Sequence, residues 1–114
     1  MKLFVGTDIE SVDRFKKLLN KNIFFESEYN YSINTGNSHQ SLAGIWCAKE
    51  AVVKSFSQIK LISVREVEIK SIKNCAPMAI IKNLKVKDLN FNISISISHT
   101  KEYATAIAVL IIFD

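Results

Sequence analysis

The sequence predicts an α+β fold in which an antiparallel β-sheet packs against one long, buried helix. Two segments carry most of that prediction. Ile93, Ile95 and Ile97 alternate strictly with Ser94, Ser96 and Ser98, the period-two pattern of a half-buried strand, and after a turn at Thr100 to Tyr103 the apolar run Ala104 to Phe113 returns beside it. Leu42 to about Phe56 (LAGIWCAKEAVVKSF) instead repeats at helical spacing, with Ile45, Ala48, Val52 and Phe56 in one stripe. Trp46 and Val53 widen that stripe until it covers most of the circumference, so this helix is expected inside the molecule.

The remaining elements follow in chain order. Leu3 to Val5 read as a short strand ending at Gly6-Thr7-Asp8, where the glycine lets the backbone turn. Ser11 is a good N-cap for a helix with Val12, Phe15, Leu18 and Leu19 on one face and Arg14, Lys16, Lys17 and Lys21 on the other. Asn30 to Ser41, rich in Asn and Ser with Gly36 among them, reads as a loop. Val67 and Ile69 alternate with charged residues as a strand, and Ala79 to Ile81 form another after Pro77.

A chain of 114 residues is expected to be one domain, 1–114, with limited interior for an enclosed site. With 48% apolar and 23% charged residues it is ordinary globular material. The net charge of +4 suits an anionic partner, but basic residues do not cluster with aromatics, which argues against nucleic acid. Cys47 and Cys75 do not have zinc-site spacing and read as two reduced thiols. No signal peptide precedes the first strand, and the longest apolar run is too short to span a bilayer. A cytoplasmic protein without membrane attachment is the expectation.

Four ionisable residues stand among apolar neighbours: Asp8, Glu50, Lys54 and His99. A buried charge requires a partner or a task. Each has an ordinary explanation beside a functional one. Asp8 suits the end of a strand or the cap of the next helix as well as a ligand role. Glu50 and Lys54, one turn apart, suit an internal ion pair equally. His99 continues the odd-numbered phase of β-residues and is expected on the core side, where a histidine is commonly structural. Together, two carboxylates, a lysine and a histidine suit a metal ion and a phosphate-bearing substrate.

Three segments, GTDIESVDRF (6–15), LAGIWCAKEAVVKSF (42–56) and SISHTKEYATAIAV (96–109), resemble in order and spacing the small phosphopantetheinyl transferases of the holo-acyl-carrier-protein synthase family. The shared pattern is Gly-x-Asp at Gly6 to Asp8, Lys-Glu-x-x-x-Lys at Lys49 to Lys54, and Ser-His at Ser98-His99. The resemblance implies that family's fold and its reaction: transfer of the 4′-phosphopantetheine arm of coenzyme A to a serine of apo acyl carrier protein, releasing adenosine 3′,5′-bisphosphate. It implies Asp8 and Glu50 as Mg²⁺ ligands and catalytic groups, with Lys54 stabilising the leaving phosphates. Lys49, Lys54, Ser98 and His99 would contact the coenzyme, and Arg14 would dock the carrier protein. The base for the serine proton is either Glu50 or a metal-bound water. A homotrimer with the coenzyme at subunit interfaces is implied as well.

Three positions depart from the family pattern. Ile45 stands where an arginine is usual, so a contact to the nucleotide end of the coenzyme is lost. The glycine-rich turn after the helix lysine is replaced by Ser55-Phe56-Ser57-Gln58, where Ser57 and Gln58 offer side-chain donors instead. Cys75-Ala76 precede Pro77, where glycine is common. These losses support an alternative, a non-catalytic relative that binds carrier protein or nucleotide.

Overall fold

The computed structural model describes residues 1–17, 23–72 and 75–114. The chain runs β1 (Lys2–Ser11), α1 (Arg14–Lys17), α2 (Glu26–Asn34), α3 (Ser38–Phe56), β2 (Val67–Lys70), β3 (Met78–Ile81), β4 (Phe91–His99) and β5 (Tyr103–Ile112). Short 3₁₀ turns at Val64–Glu66 and Leu84–Val86 complete it. The expected α+β class with an antiparallel sheet on a long helix is what the chain adopts. One sheet has the order β1-β5-β4 and the other is the hairpin β2-β3, all antiparallel.

β5 lies central and carries Ala104, Ala106 and Ala108 on its inward face, all buried. These small side chains let α3 settle closely on the sheet, where Ala43, Cys47, Ala48, Ala51, Val52 and Phe56 are almost wholly excluded from water. Gly6 on β1 allows the closest approach. A Cβ there would stand 1.9 Å from the Ala51 carbonyl oxygen and 2.7 Å from the Ser55 nitrogen. The glycine is required by the helix that crosses it, and the expected turn is absent.

The first strand is accordingly longer than Leu3 to Val5. It pairs with β5 along its whole length, from Lys2 opposite Ile112 to Ser11 opposite Tyr103. Asp8 therefore lies inside the strand, and Ser11 is committed to pairing and caps no helix. Val12 and Phe15 are buried as expected, whereas Leu18, Leu19 and Lys21 lie outside the described residues.

The expected loop at Asn30 to Ser41 is largely helical. Only Thr35, Gly36 and Asn37 separate α2 from α3. Gly36 takes φ +80°, and the Asn37 side chain accepts from the Gln40 amide to cap α3. Tertiary contacts overcome weak helix formers here, because Glu28 on α2 is tied to α3 and β2. On β2, Glu68 is not solvent-facing as the alternation suggested. It is buried, bonded to Ser27 (2.6 Å) and paired with Lys82 (2.8 Å), which hold its carboxyl below the usual range.

Candidate active site

β1 and α3 bring Asp8, Glu50 and Lys54 together. Even-numbered residues of β1 face α3, so Asp8 and Glu10 point at the helix flank that carries Glu50 and Lys54. The Lys54 ammonium lies 3.3 Å from Asp8 Oδ1 and donates to the Thr7 carbonyl at 2.9 Å. Its side chain stays about half exposed (52%), so it can still reach a ligand. Asp8 Oδ2 is buried and makes no hydrogen bond. Burial raises the Glu50 carboxyl above its ordinary range, and Asp8 and Glu10 add to the effect against Lys54 and Arg14.

That arrangement fits a hard divalent cation. It offers a buried carboxylate oxygen without a hydrogen bond near a second carboxylate whose ionised form burial and its anionic neighbours disfavour, and both donors are oxygen. Among the described residues no group of three or more His, Cys, Asp or Glu is placed to hold a metal. A cation here would take two protein carboxylates and complete its shell with water and phosphate, as Mg²⁺ commonly does.

Lys49 is elsewhere. It points to the opposite side of α3, is wholly buried, pairs with Glu28 at 2.8 Å and donates to the Val67 carbonyl at 2.6 Å. Its ammonium also lies 4.8 Å from the Phe25 ring centroid, and burial lowers its pKa. A coenzyme cannot reach it, so its expected contact is corrected to a structural one: Glu28 also accepts from the Phe25 and Ile69 amides, joining α2, α3 and β2.

His99 and Ser98 lie at the far edge of the sheet. His99 keeps the core-side face of Ile97, opposite Ala104, but is exposed there because it is the last residue of β4. It borders a cavity of about 150 Å³ with Tyr31, Ser41, Ile45, Cys75, Pro77 and Ile97. Ile45, 2% exposed, belongs to the wall of this cavity. Ser98 projects from the outward face of β4, into a shallow hollow with Ile9, Tyr103 and Thr105. Cys47 and Cys75 are free, and burial pushes the Cys47 thiol up to about 12. The Ser57 hydroxyl donates to the Lys54 carbonyl at 2.7 Å, so its single donor is already used within the helix end.

Two half-sites result, on opposite flanks of α3. Glu50 and Ile45 are five residues apart, hence about 140° around the helix. β5 separates β1 from β4, a spacing of about 9–10 Å across the sheet. Glu10 is the site residue that sequence reasoning missed. Its signal was the two-residue spacing from Asp8, visible only if β1 continues past Gly6.

Residues 4–108 match the model of the 4′-phosphopantetheinyl transferase superfamily, and the chain belongs to that family. Within it, the chain is 34% identical over 113 residues to the holo-[acyl-carrier-protein] synthase of Thermodesulfovibrio yellowstonii, covering 93% of this chain and 96% of that protein. The crystal structure of a holo-(acyl-carrier-protein) synthase from Bacillus anthracis str. Ames in complex with CoA (3′,5′-ADP) superimposes with a TM-score of 0.75 at 27% identity, covering 94% of both chains. A Chronobacterium ammoniagenes ACPS-CoA complex, at 24% identity, shares the fold over the full length of both chains with a TM-score of 0.82.

Proposed function

We propose that this chain transfers the 4′-phosphopantetheine arm of coenzyme A to a serine of an apo acyl carrier protein, using Mg²⁺ held by Asp8 and Glu50. The observation that carries the proposal is the Asp8 carboxylate, one oxygen of it buried without a hydrogen bond, close enough to Glu50 to shift its carboxyl and paired with the half-exposed Lys54. When bound, Mg²⁺ supplies charge neutralisation for the diphosphate of the coenzyme. In the transfer, the serine Oγ–P bond forms as the bond from that phosphorus to the bridging oxygen of the diphosphate breaks, and adenosine 3′,5′-bisphosphate leaves. Lys54 stabilises the negative charge that grows on the leaving phosphate. The serine proton goes either to Glu50 or to a water held at the site.

The cavity at Ile45 and His99 suits the nucleoside end of the coenzyme, and Arg14 suits an acidic carrier protein. Because that cavity and the Asp8 and Glu50 carboxylates lie on opposite flanks of α3, the reading includes a homotrimer in which one copy supplies the carboxylates and a neighbour supplies the cavity. A cytoplasmic site of action fits the two free thiols, and no helix among the described residues is long and apolar enough to cross a membrane.

Mass spectrometry of an apo carrier protein incubated with the chain, coenzyme A and Mg²⁺ tests the proposal. The expected result is a gain of one phosphopantetheine, lost in a folded Glu50→Ala variant. No gain with several carriers, despite coenzyme binding, would establish the non-catalytic relative instead. Normal turnover by Glu50→Ala would reject the site assignment.

A further inference from the structure

Glu10 has no part in the reaction described above, yet both of its carboxylate oxygens are engaged. Its Oε2 accepts from Arg14 Nη1 at 2.8 Å, and its Oε1 accepts from the Trp46 indole nitrogen at 3.3 Å. The Glu10 side chain is 17% exposed and that of Arg14 51%. Trp46 stands one helical turn before Glu50 on α3, so Glu10 spans β1, the start of α1 and the helix that carries the catalytic carboxylate.

An exposed ion pair four residues apart would by itself contribute little. This pair differs because its carboxylate is mostly buried and braced by a second bond from another element. A guanidinium carries five N–H donors in a planar fork, so engaging one nitrogen leaves others for a second carboxylate. A long side chain already held in place also loses less rotamer freedom when a partner docks.

We infer that Glu10 is a positioning residue for carrier docking: it holds Arg14 toward an incoming acidic protein and ties that arginine to the strand and helix bearing Asp8 and Glu50. The inference rests on the reading of Arg14 as a docking residue. Glu10 also carries a negative charge that repels an acidic carrier. The two effects have opposite signs, and Glu10→Gln separates them, because glutamine keeps an acceptor for Trp46 while losing the charge that grips Arg14.

The experiment uses the full chain and an apo acyl carrier protein. Titration calorimetry reads carrier binding without coenzyme or turnover. Glu10→Gln is expected to raise the carrier Kd and KM roughly three- to tenfold. The KM for coenzyme A should move far less, and in an Arg14→Ala background the Glu10 substitution should have no further effect on the carrier. A carrier Kd that falls, stays unmoved, or rises equally in the Arg14→Ala background would overturn the inference. If the unmodified chain binds carrier but transfers nothing, the transferase reading fails while the Kd comparison still decides the role of Glu10. If it binds no carrier at all, both fall.

Discussion

Lys49 and Lys54 sit five positions apart on α3 in opposite surroundings. Lys49 is enclosed with Glu28, whereas Lys54 has about half its side chain in water beside Asp8. Removing Lys49 leaves the Glu28 carboxylate buried without its cation, so Lys49→Ala should cost about 3–5 kcal/mol of stability, read from urea unfolding. Lys54→Ala should unfold near the wild-type midpoint but lose about 2–4 kcal/mol of transition-state stabilisation, read as turnover number. The reverse pattern would exchange the two roles. Asp8, Glu50 and Lys54 were legible in sequence because their spacing is carried by a motif. The partner of Lys49 was not, since Glu28 lies 21 positions earlier, just before the Asn- and Ser-rich stretch from Asn30 to Ser41 that reads as a loop. His99 follows the phase of Ile93, Ile95 and Ile97 as expected, but it is the last residue of β4 and stands exposed rather than enclosed.

At the scale of elements, β1 explains why half of the site was hidden. A strand is ordinarily recognised by apolar residues inward and polar residues outward. Here Asp8 and Glu10 face α3 while Ile9 points out and is 65% exposed, so the alternation past Gly6 reads backwards. α3 and β4 were legible because their apolar residues face the core, and β5 because it is a nearly unbroken apolar run. Gly6 governs whether β1 and α3 can hold Asp8 against Glu50. The atoms a Cβ would meet belong to helix backbone, which cannot rotate aside as a side chain does. Gly6→Ala should therefore destabilise the chain by more than about 3 kcal/mol, lowering its thermal midpoint. Any protein that remains folded should need more Mg²⁺ for half-maximal transfer. An unchanged midpoint would mean that strand and helix part without cost.

For the whole molecule, the outward face of the larger sheet is the feature a single chain does not explain. Leu3, Val5, Ile9, Tyr103 and Ile107 are each 40–65% exposed on one side of β1 and β5. Monomeric proteins rarely leave such a patch open, and a ring of copies would cover it. The same ring would join the carboxylate flank of one copy to the Ile45 and His99 cavity of the next, which α3 keeps apart within one chain. Subunit complementation tests this arrangement. Asp8→Ala removes one half-site, and His99→Glu sets a repelling charge at the other, on an exposed residue whose replacement should spare the fold. Each variant alone should be nearly inactive. Co-expressed in equal amounts and mixing at random, they should recover about a quarter of wild-type transfer, because one site in four then pairs an intact Asp8 with an intact cavity. Sedimentation should show a three-chain particle for both variants and for the mixture. A mixture no more active than its parents, in a particle of that mass, would place the complete site within a single chain.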